Sequence, residues 1–460
     1  MEQTNSFDKI VNLAKQRGFI YPSSEIYGGL SAAYDYGPLG VELKNNIKQA
    51  WWKMFVTSRA DMVGLDAAII MNPKVWEASG HVENFSDPLV DCKACHRRFR
   101  EDHLLENKGI QPEYDKTKPR NRKDLKCPEC GGELTPARQF NLMLKTFLGP
   151  LEDTANIAYL RPETAGGIFV NFKNVLETMR LKLPFGIAQI GKAFRNEITT
   201  ENFIFRTREF EQLEVEYFIK PEDWKEHFAE WQKIGKEWCL FLGLSQDDLI
   251  EHEIAAKDRA FYSKRTIDFE YKFPFGQKEL FGLAYRTDYD LTQHQKFSGQ
   301  DLSYTDPITK EKIIPHVIEP SLGVDRSFLA CLCAAYTEVQ GGRSTTTESI
   351  KEAEVVLRLP YSLAPIKIAV LPLSKKESLS ELSHGILMDL KKKWVTMYDE
   401  TGSIGKRYRR QDEIGTPYCV TIDFESLEDK KVTVRDRDTM QQDRVAIAEL
   451  EHYFNDKYNN

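Results

Sequence analysis

At 460 residues the chain is too long for one simple core and predicts two or three domains. Its 41% hydrophobic and 29% charged residues describe a globular composition, with no unbroken apolar run of the roughly 20 residues that a membrane span needs. A net charge of −7 excludes a protein that coats nucleic acid by bulk charge but leaves room for local basic patches.

Phe7, Ile10, Val11 and Ala14 recur at helical spacing and lack the charged, apolar and small-residue succession of a signal peptide, so a cytoplasmic location is expected. Residues 38–57 place Leu43, Ile47, Ala50, Trp51, Met54 and Phe55 at three- and four-residue intervals, an amphipathic helix opening after Pro38 and Gly40. The stretch from Asp66 predicts a short apolar strand ending at Pro73. Such a pair reads as core, and its Trp and Met stripe also suits a subunit contact.

Cys92-Lys-Ala-Cys95 and Cys127-Pro-Glu-Cys130 form two knuckles whose short loops let four thiolates converge on one structural zinc ion. The gap between Cys95 and Cys127 holds 31 residues, which implies an inserted loop; His96 and His103 are either substitute ligands or bystanders, and the bystander reading is preferred. That loop carries Lys116, Lys118, Arg120, Arg122, Lys123 and Lys126 against Asp115 and Asp124. It reads as a solvated loop or as a contact to a phosphate backbone, which neutralising Arg120, Arg122 and Lys123 would test through the salt dependence of RNA binding. Cys239, Cys331, Cys333 and Cys419 lie in apolar patterns and read as buried.

Residues 157–172 read as a buried strand, then Arg161-Pro162-Glu163-Thr164, then a helix; a carboxylate just after a buried strand suits a ligand contact. Gly186 to Ala193 mimics a P-loop, but Ala193 cannot ligate magnesium and Phe194 to Glu197 is expected to continue as strand, so no nucleotide loop is assigned. After a polar turn (Thr199 to Asn202), Arg206, Arg208, Phe210, Gln212, Glu214 and Glu216 share one face of a returning strand. Leu213, Val215, Tyr217 and Ile219 take the other, and Glu211 is turned away from Phe210 and Glu214. Arginines, then an aromatic, then carboxylates suit a ligand with phosphates, a flat ring and an amine. Residues 222–242 form an amphipathic helix. Glu279 and Arg286 fall on opposite faces under strict alternation, so either Gly282 marks a bulge or one of them turns from the ligand. Glu319 and Ser321 precede a glycine turn at Gly323 and a helix opening near Arg326.

Beyond about residue 350 strands (KIAVLPL, YCVTID, KVTVRD) and helices (378–394 and 445–454) alternate, indicating a separate α/β domain. Lys406-Arg407-Tyr408-Arg409-Arg410 is either an RNA contact or a solvated helix face.

These segments together resemble the class II aminoacyl-tRNA synthetases, and within them the glycyl-tRNA synthetase family of the single-chain homodimeric type. The resemblance rests on three motifs in order: Val41 to Pro73, Phe194 to Glu197 with Arg206 to Phe210, and Glu319 to Arg326. It implies an α+β fold: an antiparallel sheet flanked by helices in residues 1–350, a zinc-ribbon-like insertion at 91–135, and an anticodon-binding α/β domain at 351–460. It further implies activation of glycine with ATP and Mg²⁺ and transfer to tRNA(Gly) by a homodimer that meets no membrane. By position, Arg195, Arg206, Glu279 and Arg326 are the catalytic set. ATP falls to Arg195, Asn196, Glu197, Phe205, Arg206, Arg208, Phe210, Glu279 (also a Mg²⁺ ligand), Leu280, Gly323 and Arg326. Glycine falls to Arg100, Glu163, Phe210, Gln212, Glu214, Arg286, Glu319, Ser321 and Gly323. The rivals are a synthetase for another small amino acid such as proline, threonine or serine, an inert paralogue that binds RNA or serves as an accessory subunit, and a zinc-ribbon nucleic-acid binder.

Overall fold

The structure, a computed structural model, describes residues 2–106, 108, 125–153, 156–198, 202–341, 343 and 353–459. The basic run at 115–124, residues 199–201 of the polar turn, the His103 side chain and the anticipated boundary near 350 lie outside the described residues.

Helix α1 (Glu2–Gln16) buries Ile10 and Ala14 at the expected spacing. Helix α2 (Pro38–Trp52) starts with Pro38 in the first turn, where a missing N–H costs nothing, and buries Leu43, Ile47 and Trp51. Its end widens into a π-turn, Lys53–Thr57, that keeps Phe55 stacked 5.0 Å from Trp51. The next strand is not where periodicity puts it. Strand β1 is Met62–Gly64, whereas residues 66–73 pair through a single bridge, Ile70 to Leu160. Pro73 has no N–H for a ladder, and Asn72 Oδ1 accepts the Lys74 N–H (3.0 Å) to start a short helix instead.

Helix α3 (Ala165–Met179) leads to β2 (Phe185–Phe194) and β3 (Glu209–Ile219). Helix α4 (Trp224–Phe241) precedes β4 (Leu249–Glu253), β5 (Arg265–Phe273) and β6 (Gly276–Thr287). Strand β7 (His316–Gly323) runs straight into α5 (Val324–Ala335). The seven strands form one sheet in the order β4-β5-β6-β7-β3-β2-β1, antiparallel except for the β1–β2 edge pair. Gly186 to Ala193 lies wholly in β2, as expected of a false P-loop.

One face of the sheet is the main core. Leu213, Val215, Tyr217 and Ile219 of β3 pack there with Trp51, Trp231, Trp238 and Phe328. On the other face α3 covers only part: Phe172 lies 4.6 Å from Phe218, and Phe169 also meets it edge-on. The uncovered part, toward Phe210, is where the polar residues gather.

Two expectations about the hairpin need correction. Strand β2 ends at Phe194, so Arg195 to Glu197 do not continue it: the Arg195 N–H still reaches Arg208 O (2.9 Å), but the Asn196 N–H turns to Leu142 O (2.8 Å). Strand β3 begins only at Glu209, so Arg206 and Arg208 precede it and need not share its alternation.

The bulge in β6 is real but misplaced. Glu270 pairs with Glu279 and Phe269 with Phe281, which makes Leu280, not Gly282, the extra residue. Glu279, Gly282, Ala284 and Arg286 thereby come to one face, and a second register shift follows between Tyr285 and Thr287.

An inserted three-stranded sheet, in the order Arg98–Arg100, Ser86–Asp91, Arg138–Asn141, carries the cysteine knuckles. Past α5, Tyr336–Val339 pairs antiparallel with Glu354–Leu357. The C-terminal sheet runs Thr396–Tyr398, Ile368–Pro372, Tyr418–Ile422, Lys431–Asp436, Gln442–Ala446, its first two pairs parallel and the rest antiparallel. Thr396–Tyr398 and Gln442–Ala446 escaped the periodicity reading, and the last helix starts at Leu450 rather than Val445 because residues 442–446 pair with 431–435. Among the described residues no helix is long and apolar enough to cross a membrane.

Candidate active site

Register lines up the site. Gln189 on β2, Glu214 on β3, Ser321 on β7 and Gly282 on β6 are successive cross-strand partners and so share one face. One rung nearer the opening, Gly191, Gln212 and Gly323 form a second row. A side chain at Gly191 is impossible without disruption: its Cβ would stand 2.3 Å from the Arg161 guanidinium. Arg161 is buried and donates to Lys192 O (2.6 Å) and Ala67 O (2.7 Å), which holds the Pro162-Glu163 turn against the sheet.

In front of these rows opens a cavity of about 260 Å³. Twelve of the residues expected from sequence line it: Arg100, Arg195, Glu197, Phe205, Arg206, Phe210, Gln212, Glu279, Leu280, Ser321, Gly323 and Arg326. Four guanidinium groups thus converge on one small space. Arg195 lies 5.1 Å from the Phe210 ring centroid and 5.2 Å from that of Phe85, and its Nε donates to Pro162 O (3.1 Å). Arg326 lies 4.6 Å from the Phe205 ring centroid and 3.0 Å from Glu279 Oε2. That guanidinium, with Arg195 and Arg206 farther off, holds the Glu279 carboxyl below the usual range against the effect of burial. Arg100 enters from the inserted sheet, held by Asp87 (2.7 Å) and Asp102 (2.6 Å); burial pushes Asp87 up to about 6 in spite of it.

Of the other six expected residues, Glu163, Glu214, Arg286 and Glu319 lie behind the cavity, and Asn196 and Arg208 do not line it. Arg208 donates to Glu197 O (3.1 Å) and Ser31 O (2.9 Å), and Asn196 is diverted with its backbone toward Leu142. Glu211 is on the opposite face as anticipated, bound by Lys44 and Lys48 at 3.2 Å each. Asp325 fixes the turn itself: it accepts from Tyr36, from Lys44 (3.2 Å) and from the Glu211 N–H (2.8 Å), joining α2, β3 and α5.

Behind the cavity lies a buried acidic nest. Glu214 accepts from Thr164 N–H (3.0 Å), Thr164 Oγ1, Ser321 Oγ (2.7 Å) and Gln212 Nε2 (3.2 Å). Arg286 donates to Glu319 Oε1 and to both Asp290 oxygens, all at 2.8 Å, under the Tyr262 ring at 3.8 Å. Burial first, with Glu214 and Glu163 next among the acids, pushes Glu319 up to about 8 although Arg286 opposes it. Glu163 goes the other way. Burial would raise it, yet His81 foremost, then Arg286 and Arg195, hold it at about 2.

His81, Thr164, Tyr262 and Asp290 were missed by sequence reasoning. Thr164 adjoins Glu163 and Asp290 sits four residues after Arg286, so both had a local signal. His81 and Tyr262 arrive from distant segments and had none.

The four knuckle cysteines converge as expected. All four Sγ atoms lie within 4.8 Å of one another, with Cys92–Cys130 at 3.5 Å and Cys95–Cys127 at 3.7 Å. A tetrahedral ion with Zn–S bonds of about 2.3 Å needs edges of about 3.8 Å, so the donor set fits zinc. Gly132 backs the cradle: a Cβ there would stand 3.0 Å from Cys92 Sγ. His96 is outside the cluster, as anticipated. The Lys406–Arg410 run is neither open to RNA as a whole nor a solvated face. Arg407 is buried on Gly402 O (2.7 Å) and Pro372 O, and Arg410 binds Asp399 (2.5 Å).

The tRNA synthetase class II core domain (G, H, P, S and T) family matches residues 151–336, and the anticodon binding domain family matches residues 367–457. Full-length relatives named glycine–tRNA ligase are 54% identical in Alkaliphilus oremlandii (99% of each chain) and 54% in Lachnospira eligens (100% of each). One from Geobacillus kaustophilus is 55% identical, covering 98% of this chain and 99% of its own. The chain belongs to the glycine–tRNA ligase family. Its class II core and anticodon-binding domain make the α+β reading correct, and an enzyme of this family is neither an inert paralogue nor a zinc-ribbon binder. Membership also sets aside the proline, threonine and serine rivals. A prolyl-tRNA synthetase from Cryptosporidium parvum, complexed with halofuginone and AMPPNP, shares the fold with a TM-score of 0.61 at 14% identity, over 97% of this chain and 76% of its own.

Proposed function

We propose that the protein joins glycine to ATP as glycyl-adenylate and then transfers the glycyl group to the 3′ end of tRNA(Gly). The observation that carries this reading is the continuity of the four-arginine cavity with the acidic nest along one sheet face. In the first step the glycine carboxylate attacks the α-phosphorus and pyrophosphate leaves. The nucleophile is already ionised, so positioning and neutralisation of phosphate charge do the catalysis. Arg195 takes the α-phosphate, Arg206 the outer phosphates, and Phe210 with Arg326 the adenine.

Glu279, half-exposed at the cavity and held ionised, fits a magnesium ion that keeps most of its ligands as phosphate and water oxygens. When bound, that ion neutralises phosphate charge. Glycine offers no side chain to grip, so its ammonium is matched to Glu163, Glu214 and Glu319, with Arg286 holding Glu319 in place and larger amino acids excluded by volume.

The same reading assigns residues 1–350 to catalysis, 91–135 to a zinc ribbon and 351–460 to anticodon binding. It places the enzyme in the cytoplasm, where its free cysteines stay reduced. It makes the chain a homodimer, supported by exposed apolar Val41 on α2 and Ile70 on the segment that follows. Sedimentation of the purified enzyme as a monomer would remove the dimer assignment. Glycine-dependent ATP–pyrophosphate exchange tests the activity: exchange is expected with glycine and not with alanine, proline, threonine or serine, and exchange driven by one of these instead overturns the reading.

A further inference from the structure

Glu216 is the acid of the nest without a partner. It is fully buried, two residues beyond Glu214 on the same face of β3, and neither of its carboxyl oxygens has a hydrogen-bond partner among the described residues. One oxygen each from Glu214, Glu216 and Glu319 lie within 4.8 Å of one another. The donors around them are shared unequally. Glu214 receives N–H and O–H bonds from Thr164, Ser321 and Gln212, and Glu319 receives Arg286. Glu216 receives none, while its cross-strand neighbour on β2 is the apolar Ile187.

An ionised carboxylate in such a place loses its hydration and gains nothing in return, so the proton belongs on the group with the fewest donors. The charged groups that face it agree. Glu319 from β7, Glu214 from β3 and Asp290 from the Tyr289–Ser298 helix all repel a further negative charge, and Arg286, which opposes them, is already bound to two acids. Burial, then Glu319, pushes the Glu216 carboxyl well above the usual range.

Resting on the function proposed above, we infer that Glu216 is a positioning residue: it keeps its carboxyl proton when glycine binds and gives it as a hydrogen bond to a neighbouring carboxylate. The substrate ammonium then meets Glu214 and Glu319 as anions over a neutral floor. Three ionised acids there would repel one another apart, and an apolar floor would leave a carboxylate oxygen bare.

The test combines infrared spectroscopy with glycine-dependent exchange on the full-length enzyme. A carbonyl stretch from a protonated carboxyl is expected in the wild type with glycine bound at neutral pH, and it disappears in Glu216→Gln. Glu216→Gln, which keeps the shape and a donor, holds the KM for glycine within about threefold, whereas Glu216→Leu raises it about tenfold or more with the KM for ATP unchanged. Absence of the band, or a Glu216→Gln loss as large as that of Glu214→Gln, overturns the inference, since Glu216 would then be an ionised ligand of ammonium or of a metal ion. A wild type that shows the band but no exchange with glycine defeats the functional reading instead, because the band is read without turnover.

Discussion

His81 Nε2 stands 3.2 Å from Glu163 Oε2, and both side chains are more than nine-tenths buried. The other ring nitrogen of His81 meets Ser79 Oγ at 2.8 Å, so the imidazole is fixed at both ends. Removing one member of a buried pair strands the other, which costs on the order of 3–5 kcal/mol. His81→Ala is therefore expected to lower thermal stability and to raise the KM for glycine about tenfold or more, while the KM for ATP changes little. His81→Gln, which restores a donor, should recover part of the loss. An unaltered glycine KM in both variants would remove His81 from the site.

Acidity has opposite consequences at two of these carboxyls. Glu163 is held at about 2, so its contribution to stability is complete above the ordinary value of 4.5 and fades as pH falls toward 2. Glu319 is pushed up to about 8, so the folded protein holds a proton that the unfolded chain has lost, and this group's contribution shrinks as pH rises from 4.5 to 8. A bound ammonium favours the ionised form and displaces that proton. Glycine affinity should therefore increase from pH 6 to pH 8, with proton uptake or release followed by calorimetry in two buffers. Glu319→Gln should flatten the dependence; an unchanged slope would place the proton elsewhere.

Arg326 combines a ring contact with Phe205 and an ion pair with Glu279. Lysine keeps the charge but has no planar face to lay against a base. Arg326→Ala is expected to cut kcat/KM for ATP by about a hundredfold, equivalent to about 2.7 kcal/mol, and Arg326→Lys should recover less than half of that energy. Full rescue by lysine would mean that charge alone matters.

The cysteine cluster predicts about one zinc ion per chain by elemental analysis, lost in Cys127→Ser. Arg100 sits on a strand of the same inserted sheet, between Asp87 and Asp102. Loss of the ion should thus lower thermal stability and also raise the KM for glycine, the substrate to which Arg100 is assigned. If metal leaves and the KM stays put, the ribbon does not support the cavity.

What could be read ahead of the structure was local. The alternation on β3 separated Glu214 from Glu211 correctly, because a strand with one apolar face declares its parity. The four cysteines declared themselves through spacing. The failures came where backbone leaves a regular path: Pro73 after a stretch that never joins the sheet, Arg195 just past the end of β2, and Arg208 turned to carbonyl oxygens. His81 and Tyr262 lay beyond reach because only tertiary packing brings them to Glu163 and Arg286. The basic run at 406–410 misled because composition cannot tell an arginine on a carbonyl from an arginine on a phosphate.

Leu280 gives β6 one residue more than its neighbour β5. In a regular ladder Glu279 and Arg286, seven positions apart, would look in opposite directions. On the function proposed above, the insertion lets one strand serve both halves of the reaction, a carboxylate for the nucleotide and a guanidinium for the amino-acid nest. It also makes the spacing unforgiving: deleting one residue between 279 and 286 keeps at most one of the two in place, whichever side chain is removed. Length along this strand is thus a constraint in its own right, separate from the identity of any residue on it.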